Sequence, residues 1–202
     1  MATTRATSDA ERTTILDAAL RVMRRNAYAE AQISEILAEA ELSTRAFYRH
    51  FDSKDDMLMA LYRSDADVVA RRLQERVAAA DSPEDQLAAW IDETLSLGYD
   101  RRRANRARML ASDAARRTVA FAEESARTAG ELSAPLRDLL ERGASSGAFP
   151  RCVPDQDAPT IYALVWRLVA EAIAGRATMD VNQAVAHVHR FCFPALGLGP
   201  VD

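Results

Sequence analysis

Two short amphipathic segments near the N-terminus constrain this chain more than any other feature. In the first segment, four apolar residues recur at the i, i+3, i+4 and i+7 spacing of a helix with one buried face: Ile33, Ile36, Leu37 and Ala40. Ser43 is a favourable N-cap for a second short helix, in which Phe47 and Phe51 lie four residues apart and face inward. Two short helices joined by a tight turn form a helix-turn-helix, whose second helix can enter the major groove of DNA.

The outward side of the second helix is polar and carries Thr44, Arg45, Tyr48 and Arg49, with His50 next to them. Arginine can fork onto guanine, threonine can bond a base edge or a phosphate, and tyrosine and histidine can bond phosphates. The open side of an amphipathic helix is also commonly a solvated face. The spacing alone therefore leaves both interpretations open.

The residue types of this stretch, in addition to their spacing, resemble those of a known protein family. Residues 42–51, LSTRAFYRHF, followed by SKD at 53–55, closely resemble the signature of the tetracycline-repressor (TetR) family of transcription regulators. Residues 15–20, ILDAAL, and Tyr28 lie at the offsets that this family uses. The resemblance covers roughly the first quarter of the chain, and beyond about residue 60 it extends only to length and helical character.

The resemblance implies a homodimer whose two recognition helices, residues 43–51, enter successive major grooves of a palindromic operator. It implies base contacts from Thr44, Arg45 and Arg49. The remaining predicted DNA-binding residues, mainly phosphate ligands, are Gln32, Ser43, Tyr48, His50 and Lys54. A small effector bound in the larger domain would shift the helix that begins at Lys54 and release the DNA, so a repressor is expected, although activation stays open.

Four residues depart from the family pattern. Ala27 and Ala31 replace the Gly that usually ends the first helix and the Thr that usually caps the second. Glu41 replaces the usual Gly in the turn, where the backbone is expected to need a positive φ. Ala46 replaces a Thr or Ser on the reading face and offers a methyl group to thymine. These departures leave the motif intact, but because of them the operator sequence cannot be predicted from the motif.

Composition predicts an all-α fold, and the resemblance implies that an N-terminal three-helix headpiece is joined to a larger helical bundle. The chain has 202 residues, with 49% hydrophobic and 28% charged residues and few Gly and Pro. No secretory signal is visible, and the longest apolar segment, 161–175, is interrupted by Arg167 and Glu171, so a cytoplasmic protein without a membrane span is expected. A net charge of −4 does not exclude DNA binding, because a local basic patch suffices.

The predicted organisation has four parts: a disordered tail at 1–10, the headpiece at 11–53, an effector-binding and dimerisation domain at 54–196, and a C-terminal tail at 197–202. The two late helices, around 161–173 and 181–191, are more apolar than one packing face requires, which suggests an interface as well as a core. By resemblance they pair with those of a second copy as a four-helix bundle. The predicted interface residues are Leu164, Leu168, Val185 and Val188.

The resemblance also implies a cavity between the helices of residues 54–175 that holds an unknown, partly apolar small molecule. The predicted lining residues are Tyr62, Trp90, Met109, Phe121, Tyr162 and Trp166. The alternative for each of them is ordinary core, because aromatic residues and Met at helical spacing fill cores far more often than they line pockets.

Catalytic, metal and cofactor sites are not predicted. His187 and His189 point about 200° apart on a helix, and no phosphate loop or nucleophile elbow occurs. Cys152 and Cys192 lack metal-ligand spacing, and a redox role stays open. The basic run at 101–108 is either a solvated helix start or a site for an anion. An enzyme is not expected, and the alternative to a regulator is a helical ligand- or protein-binding module whose headpiece no longer reads DNA.

Overall fold

The computed structural model describes residues 2–26, 31–110 and 119–199. Over these residues the regular structure is helical without strands, which confirms the predicted all-α class. The helices are α1 (Ala2–Arg25), α2 (Ile33–Ala40), α3 (Thr44–His50), α4 (Lys54–Ala78), α5 (Pro83–Tyr99), α6 (Arg101–Leu110), α7 (Val119–Ser146), α8 (Pro154–Ile173) and α9 (Val181–Leu196).

Helix α1 is longer than the sequence predicted. It begins at Ala2, so the prediction of a disordered tail over residues 1–10 is wrong for residues 2–10. The physical reason is that this segment contains neither Pro nor Gly, and its Ala and Arg residues favour a helix. The hydroxyls of Thr13 and Thr14 donate to the carbonyls of Asp9 and Ala10, one turn earlier, at 2.9 Å each.

The turn between α2 and α3 has the backbone that the sequence predicted for it. Glu41 ends α2 in the left-handed region, with φ 55° and ψ 37°. Its N–H donates to the carbonyl of Ala38 at 3.3 Å, and the N–H of Leu42 donates to the carbonyl of Leu37 at 3.1 Å. Ser43 then caps α3, because its Oγ accepts from the N–H of Ala46 at 3.2 Å. A glutamate therefore occupies a position that favours glycine.

The chain divides into two compact units. Unit 1 comprises residues 1–65 and 109–125, and unit 2 comprises residues 66–108 and 126–202. The division differs from the expected boundary at residues 53 and 54, because it falls inside α4, inside α6 and inside α7. The reason is packing: residues 57–61 of α4 and Leu110 are buried in the same core as α1, α2 and α3.

The core of unit 1 fixes the position of α3. Phe47 is completely buried, and Phe51 lies beside it with ring centroids 5.5 Å apart. Both pack in one cluster with apolar residues of α1 and α2, including Ile15 and Ile36. Because Phe47 of α3 and Phe51, which directly follows α3, are held in this core, the opposite side of the helix is set toward solvent.

The core of unit 2 forms around α5 and α8. Trp90 is completely buried, and its Nε1 donates to the carbonyl of Leu132 at 3.3 Å. Gly98 allows α5 to approach α8 closely, since a Cβ there would lie 2.7 Å from the carbonyl oxygen of Val169. Helix α5 begins with Ser82 as its cap and Pro83 in its first turn. Within the described ranges, no helix is long and apolar enough to cross a membrane.

Candidate nucleic-acid interface

One side of α3 presents a contiguous polar surface to solvent. It consists of Thr44, Arg45, Tyr48 and Arg49, all exposed, and is called the recognition face below. The side chain of Tyr48 is 58% exposed although its ring meets the edge of the Phe47 ring, with centroids 5.4 Å apart. Arg45 and Arg49 are one helical turn apart and therefore neighbours on this surface. The structure thus brings together four of the predicted DNA-binding residues.

Ala46 does not belong to the recognition face. It is 3% exposed, so its methyl group packs inside unit 1 and is not available to a thymine methyl. The sequence-based interpretation of this residue was wrong. Ala46 is adjacent to Phe47 on a helix of only seven residues, and it packs on the same buried side of that helix as Phe47.

Two of the predicted DNA-binding residues are helix caps. Ser43 caps α3, and Gln32 is the N-cap of α2, where its N–H donates to Oε2 of Glu35 at 3.1 Å. Both side chains are exposed. Their capping role is visible in the structure, whereas their contact with DNA stays a prediction.

His50 is placed differently from the prediction of a phosphate ligand. Its side chain is only 5% exposed, and its Nε2 lies 3.1 Å from Oε2 of Glu11 on α1. The same oxygen accepts from Nη2 of Arg49 at 2.9 Å. A buried imidazole that already faces a carboxylate is poorly placed to meet a phosphate. Glu11 is a functional candidate that the sequence reasoning missed, because its partners are far away along the chain.

Lys54 begins α4, directly after the recognition helix and the short turn that follows it. It is the single lysine of the chain. Partial burial lowers the pKa of its ammonium group, and the negative charges of Asp55 and Glu35 act in the opposite direction. In the turn before it, Oγ of Ser53 accepts from the N–H of Asp56 at 3.0 Å. Lys54 is thus the first residue of α4, the helix that follows α3 along the chain.

Helices α1 and α2 are joined by a second carboxylate. Glu39 of α2 accepts from Nε of Arg21 at 2.8 Å and from Nη2 of Arg25 at 2.6 Å. Hydrogen bonding from Arg25, and then from Arg21, holds the pKa of Glu39 below its usual value. Arg12 of α1 contacts the residue that follows α3: its guanidinium lies 5.4 Å from the centre of the Phe51 ring, which is a cation–π distance.

The predicted effector-pocket residues separate into two groups, one in each unit. Tyr62, Met109 and Phe121 pack against the core of unit 1, where the Tyr62 and Phe121 rings meet edge to face at 5.2 Å. The other three belong to unit 2: Trp90, Tyr162 and Trp166. Their rings form a row. The Tyr162 ring is stacked on the Trp166 ring with centroids 6.0 Å apart, and its centroid lies 6.4 Å from that of Trp90. Trp90 is core, as the alternative interpretation held.

Unit 2 contains buried polar groups that the sequence did not point to. Glu93 is 6% exposed and accepts from Nη1 of Arg103 at 2.7 Å and from Nε of Arg72 at 2.9 Å. The hydroxyls of Thr94 and Thr128 are buried without a hydrogen-bond partner in the described part of the chain. Buried hydroxyls normally have hydrogen-bond partners, so each of these two is an exception to that rule.

The basic run at 101–108 serves partly to hold unit 2 together. Arg103 pairs with buried Glu93, and Nε of Arg108 donates to the carbonyl of Ile173 at 2.7 Å. Asp100 caps the start of α6 by accepting from the N–H groups of Arg102 and Arg103 at 2.9 Å each. These contacts favour a structural role for Arg103 and Arg108, while Arg101 and Arg102 are exposed.

The predicted interface residues are not equivalent. Leu164, Leu168 and Val185 are half-buried, whereas Val188 is completely buried in the core of its own unit and offers no surface to a second copy. The prediction for Val188 was therefore wrong. Phe191 instead is 66% exposed, one of the few exposed large apolar side chains among the described residues.

Other residues considered from the sequence form no site. No group of three or more metal-ligating side chains occurs within residues 2–26, 31–110 and 119–199. Burial raises the pKa of both cysteine thiols to about 11, with the charge of Asp157 adding to the effect, so neither thiol is activated as a nucleophile. Tyr28 lies outside the described residues.

Comparison with known proteins agrees with this geometry. Residues 15–61 match the model described as bacterial regulatory proteins of the tetR family. Residues 83–193, more than half of the chain, match the model of the C-terminal part of BetI-type transcriptional repressors. The chain belongs to the TetR family of bacterial regulatory proteins. Helices α2 and α3 lie within the residues that match the N-terminal model of this family.

Two curated relatives match part of the chain. The fatty acid metabolism regulator protein of Bacillus subtilis is 29% identical over 83 residues, which are 41% of this chain and 43% of that protein. The HTH-type transcriptional regulator HbdR of Aromatoleum is 28% identical over 141 residues, 62% of this chain and 61% of that protein. The chain thus spans less than two thirds of the length of both relatives.

Solved structures share the fold over most of the chain. A TetR transcription regulator from Haloarcula marismortui has a TM-score of 0.75 at 18% identity, covering 91% of this chain and 97% of that one. FadR from Bacillus subtilis, in complex with stearoyl-CoA, has a TM-score of 0.71 at 19% identity and coverages of 91% and 98%. A Saccharomonospora viridis protein in complex with choline has a TM-score of 0.72 at 19% identity and coverages of 89% and 94%. At these identities the likeness concerns the fold alone.

Proposed function

We propose that this chain is a transcriptional repressor that binds a palindromic operator as a homodimer and is released by a small-molecule effector. The observation that carries the proposal is the recognition face, four exposed polar side chains on one side of α3. Phe47 and Phe51 lock the opposite side of the helix into the core of unit 1, so this face is presented by a rigid element.

Arg45 and Arg49 are the residues expected to read bases. Both are exposed, and a guanidinium can donate two parallel hydrogen bonds to the O6 and N7 atoms of guanine. Thr44 and Tyr48 lie beside them on the same surface and suit a base edge and a phosphate respectively. Lys54, at the start of α4, supplies a further phosphate contact.

Dimerisation is proposed from the apolar surface of α8 and α9. Leu164 and Leu168 of α8 and Val185 of α9 are half-buried, and Phe191 of α9 is largely exposed. Partly exposed aliphatic side chains on two helices, with an exposed aromatic side chain on one of them, are typical of a surface that another protein covers. A two-fold dimer would present two recognition helices to the two halves of a palindrome.

The effector is proposed to be a small molecule with an apolar part. The similar structures were solved with stearoyl-CoA and with choline, and the matched C-terminal model is that of BetI-type repressors. In unit 2 the stacked rings of Tyr162 and Trp166, both half-buried, offer aromatic surface to such a molecule. Release requires only that the effector binds the DNA-free geometry more tightly than the DNA-bound geometry.

The test is a selection from random duplexes of those that the purified full-length protein retains, followed by sequencing. An enriched palindrome is the expected result, and it provides a specific duplex for affinity measurements. On that duplex, Arg45→Ala should lower discrimination against a scrambled duplex by about 1–3 kcal/mol, because one bidentate base contact is lost.

Arg142→Ala is the matched control, because it removes an exposed arginine of α7 whose Nη2 donates to Oε1 of Gln86 within unit 2. This control should leave discrimination unchanged. If Arg45→Ala discriminates as well as the unmodified protein, the recognition face is assigned wrongly. If no duplex is enriched and binding is independent of salt, the chain acts through a ligand or a protein partner, without reading DNA.

A further inference from the structure

We infer that Glu11, on α1, is a positioning residue for DNA recognition that holds the guanidinium of Arg49 in place on the recognition face. This inference rests on the proposed function, because it concerns how the same α3 surface reads DNA. Glu11 lies outside the helix-turn-helix itself, 38 residues before Arg49, and nothing in its local sequence marks it for this role.

The geometry is a carboxylate shared by two consecutive residues of α3. Oε2 of Glu11 lies 2.9 Å from Nη2 of Arg49 and 3.1 Å from Nε2 of His50. The imidazole is 5% exposed and the arginine side chain is 56% exposed. His50 thus fixes the carboxylate from the protein interior, and the carboxylate in turn holds one nitrogen of the exposed guanidinium.

This arrangement leaves the rest of the guanidinium accessible. Arginine carries five N–H donors, and Glu11 contacts Arg49 through Nη2, so a guanine edge or a phosphate can still be bound by the others. An unrestrained arginine populates many rotamers and loses that freedom when it binds. A restrained one has lost part of it on folding, so less is lost on binding DNA.

The negative charge of Glu11 acts in the same direction as this restraint. A carboxylate beside Arg49 partly neutralises the cation and repels phosphates, which weakens sequence-independent binding. Base contacts with correct geometry suffer less, because the restrained guanidinium is already oriented. Glu11 is therefore expected to raise the ratio of specific to non-specific affinity in two ways: it favours base contacts by orienting Arg49, and it weakens sequence-independent binding to phosphates.

Unit 1 provides a matched control for this carboxylate. Glu39 also bridges two helices and accepts from two residues, Arg21 at 2.8 Å and Arg25 at 2.6 Å. Both partners lie on α1, and neither belongs to the recognition face. Glu39→Gln removes the same charge from the same unit, so it reports what the loss of any such ion pair does to binding.

The experiment is a double-mutant cycle on the full-length protein. Affinities for the palindrome enriched by the unmodified protein, and for a random-sequence duplex of equal length, are measured for Glu11→Gln, Arg49→Ala and the double variant. Glu11→Gln should lower the specific to non-specific ratio about two- to tenfold, the range expected for freeing one restrained side chain. Glu39→Gln should change it less than twofold, and Glu11→Gln should have no further effect in the Arg49→Ala background.

Two results would overturn the inference. One is an unchanged ratio in Glu11→Gln. The other is an equal loss with and without Arg49, which would mean that Glu11 acts only through His50 and the packing of α3. Should Glu11→Gln fail to fold by circular dichroism, Glu11→Asp takes its place in the cycle. It keeps the charge but shortens the reach by one methylene, so it should lower the ratio when Arg49 is present and leave it unchanged in the Arg49→Ala background.

Failure of the proposed function is distinguishable from failure of this inference. If the unmodified protein enriches no palindrome, the proposed function is refuted, and the same cycle on random-sequence duplex then decides the inference. Coupling between Glu11 and Arg49 there, with Glu11→Gln strengthening binding only when Arg49 is present, supports it. Equal strengthening in both backgrounds refutes it.

Discussion

Replacing Glu41 by glycine should stabilise unit 1. Glu41 has φ 55° and ψ 37°, a left-handed conformation that costs a residue with a Cβ about 1–2 kcal/mol. Glycine removes this cost but adds roughly 0.4–1 kcal/mol of conformational entropy to the unfolded chain. The expected net gain is about 1 kcal/mol for Glu41→Gly.

The contacts around the turn indicate that little else changes with this substitution. The side chain of Glu41 is exposed. The two hydrogen bonds that close the turn, from the N–H of Glu41 to Ala38 and from the N–H of Leu42 to Leu37, use only backbone atoms. Glycine can make both bonds in the same conformation. The gain therefore comes from the backbone of this single residue.

Amide hydrogen exchange is the suitable assay, because it reports the opening of unit 1 by itself. A gain of about 1 kcal/mol should slow the exchange of the most protected amides of α2 and α3 about fivefold. Glu41→Ala is the first control: it removes the carboxylate and keeps the Cβ, so it should stay near the unmodified rate. Ser64→Gly is the second: at an exposed position of α4 within unit 1, glycine should destabilise by roughly 0.5 kcal/mol and speed exchange.

The reasoning is refuted if Glu41→Gly and Glu41→Ala slow exchange equally. The carboxylate, and not the positive φ, would then be the source of the cost. Faster exchange in Glu41→Gly would show that the glutamate side chain contributes more to unit 1 than the left-handed backbone costs it.

Three further predictions concern packing, DNA affinity and pH. Gly98→Ala should lower the urea midpoint of unit 2 by an amount equivalent to about 1–3 kcal/mol, since its Cβ would lie 2.7 Å from the Val169 carbonyl, whereas Gly130→Ala, with no atom within 4 Å, should raise it. Lys54→Ala should weaken binding to all duplexes alike and reduce the salt slope by about 1 in titrations at several salt concentrations. The pKa of Glu39 is lower in the folded protein than its usual value of 4.5. Its carboxylate therefore contributes to stability above pH 4.5, and this contribution is lost as the pH falls through the lower folded pKa. Glu39→Gln should therefore flatten the acid limb of a plot of urea midpoint against pH.

The helical elements and the recognition face follow from local pattern. The spacing of Phe47 and Phe51 determines which side of α3 is buried, and the exposed positions Thr44, Arg45 and Tyr48 follow from it. The left-handed turn at Glu41 was expected instead from the resemblance to the TetR family, in which glycine is usual at this position. Local periodicity is sufficient for features that depend on neighbours within about one turn.

Features that depend on distant partners could not be predicted in this way. The periodicity of α4 shows that its first turns have a buried face, but not that this face completes the core of unit 1 and moves the boundary to residue 65. In α9, apolar residues occur on several sides, so the pattern does not decide that Val188 faces the core and Phe191 faces solvent. The Glu11 contacts arise only from the packing of α1 against α3.

The near-exclusive use of arginine limits how covalent modification can alter the charge of this protein. Acyl groups are transferred to lysine amines, and apart from the α-amino group this chain offers one such amine, on Lys54. Arginine keeps its proton at all physiological pH values, so its charges persist. Acylation of side-chain amines would therefore remove a single positive charge, at the start of α4 beside the recognition helix, and would leave all other basic side chains of the protein charged.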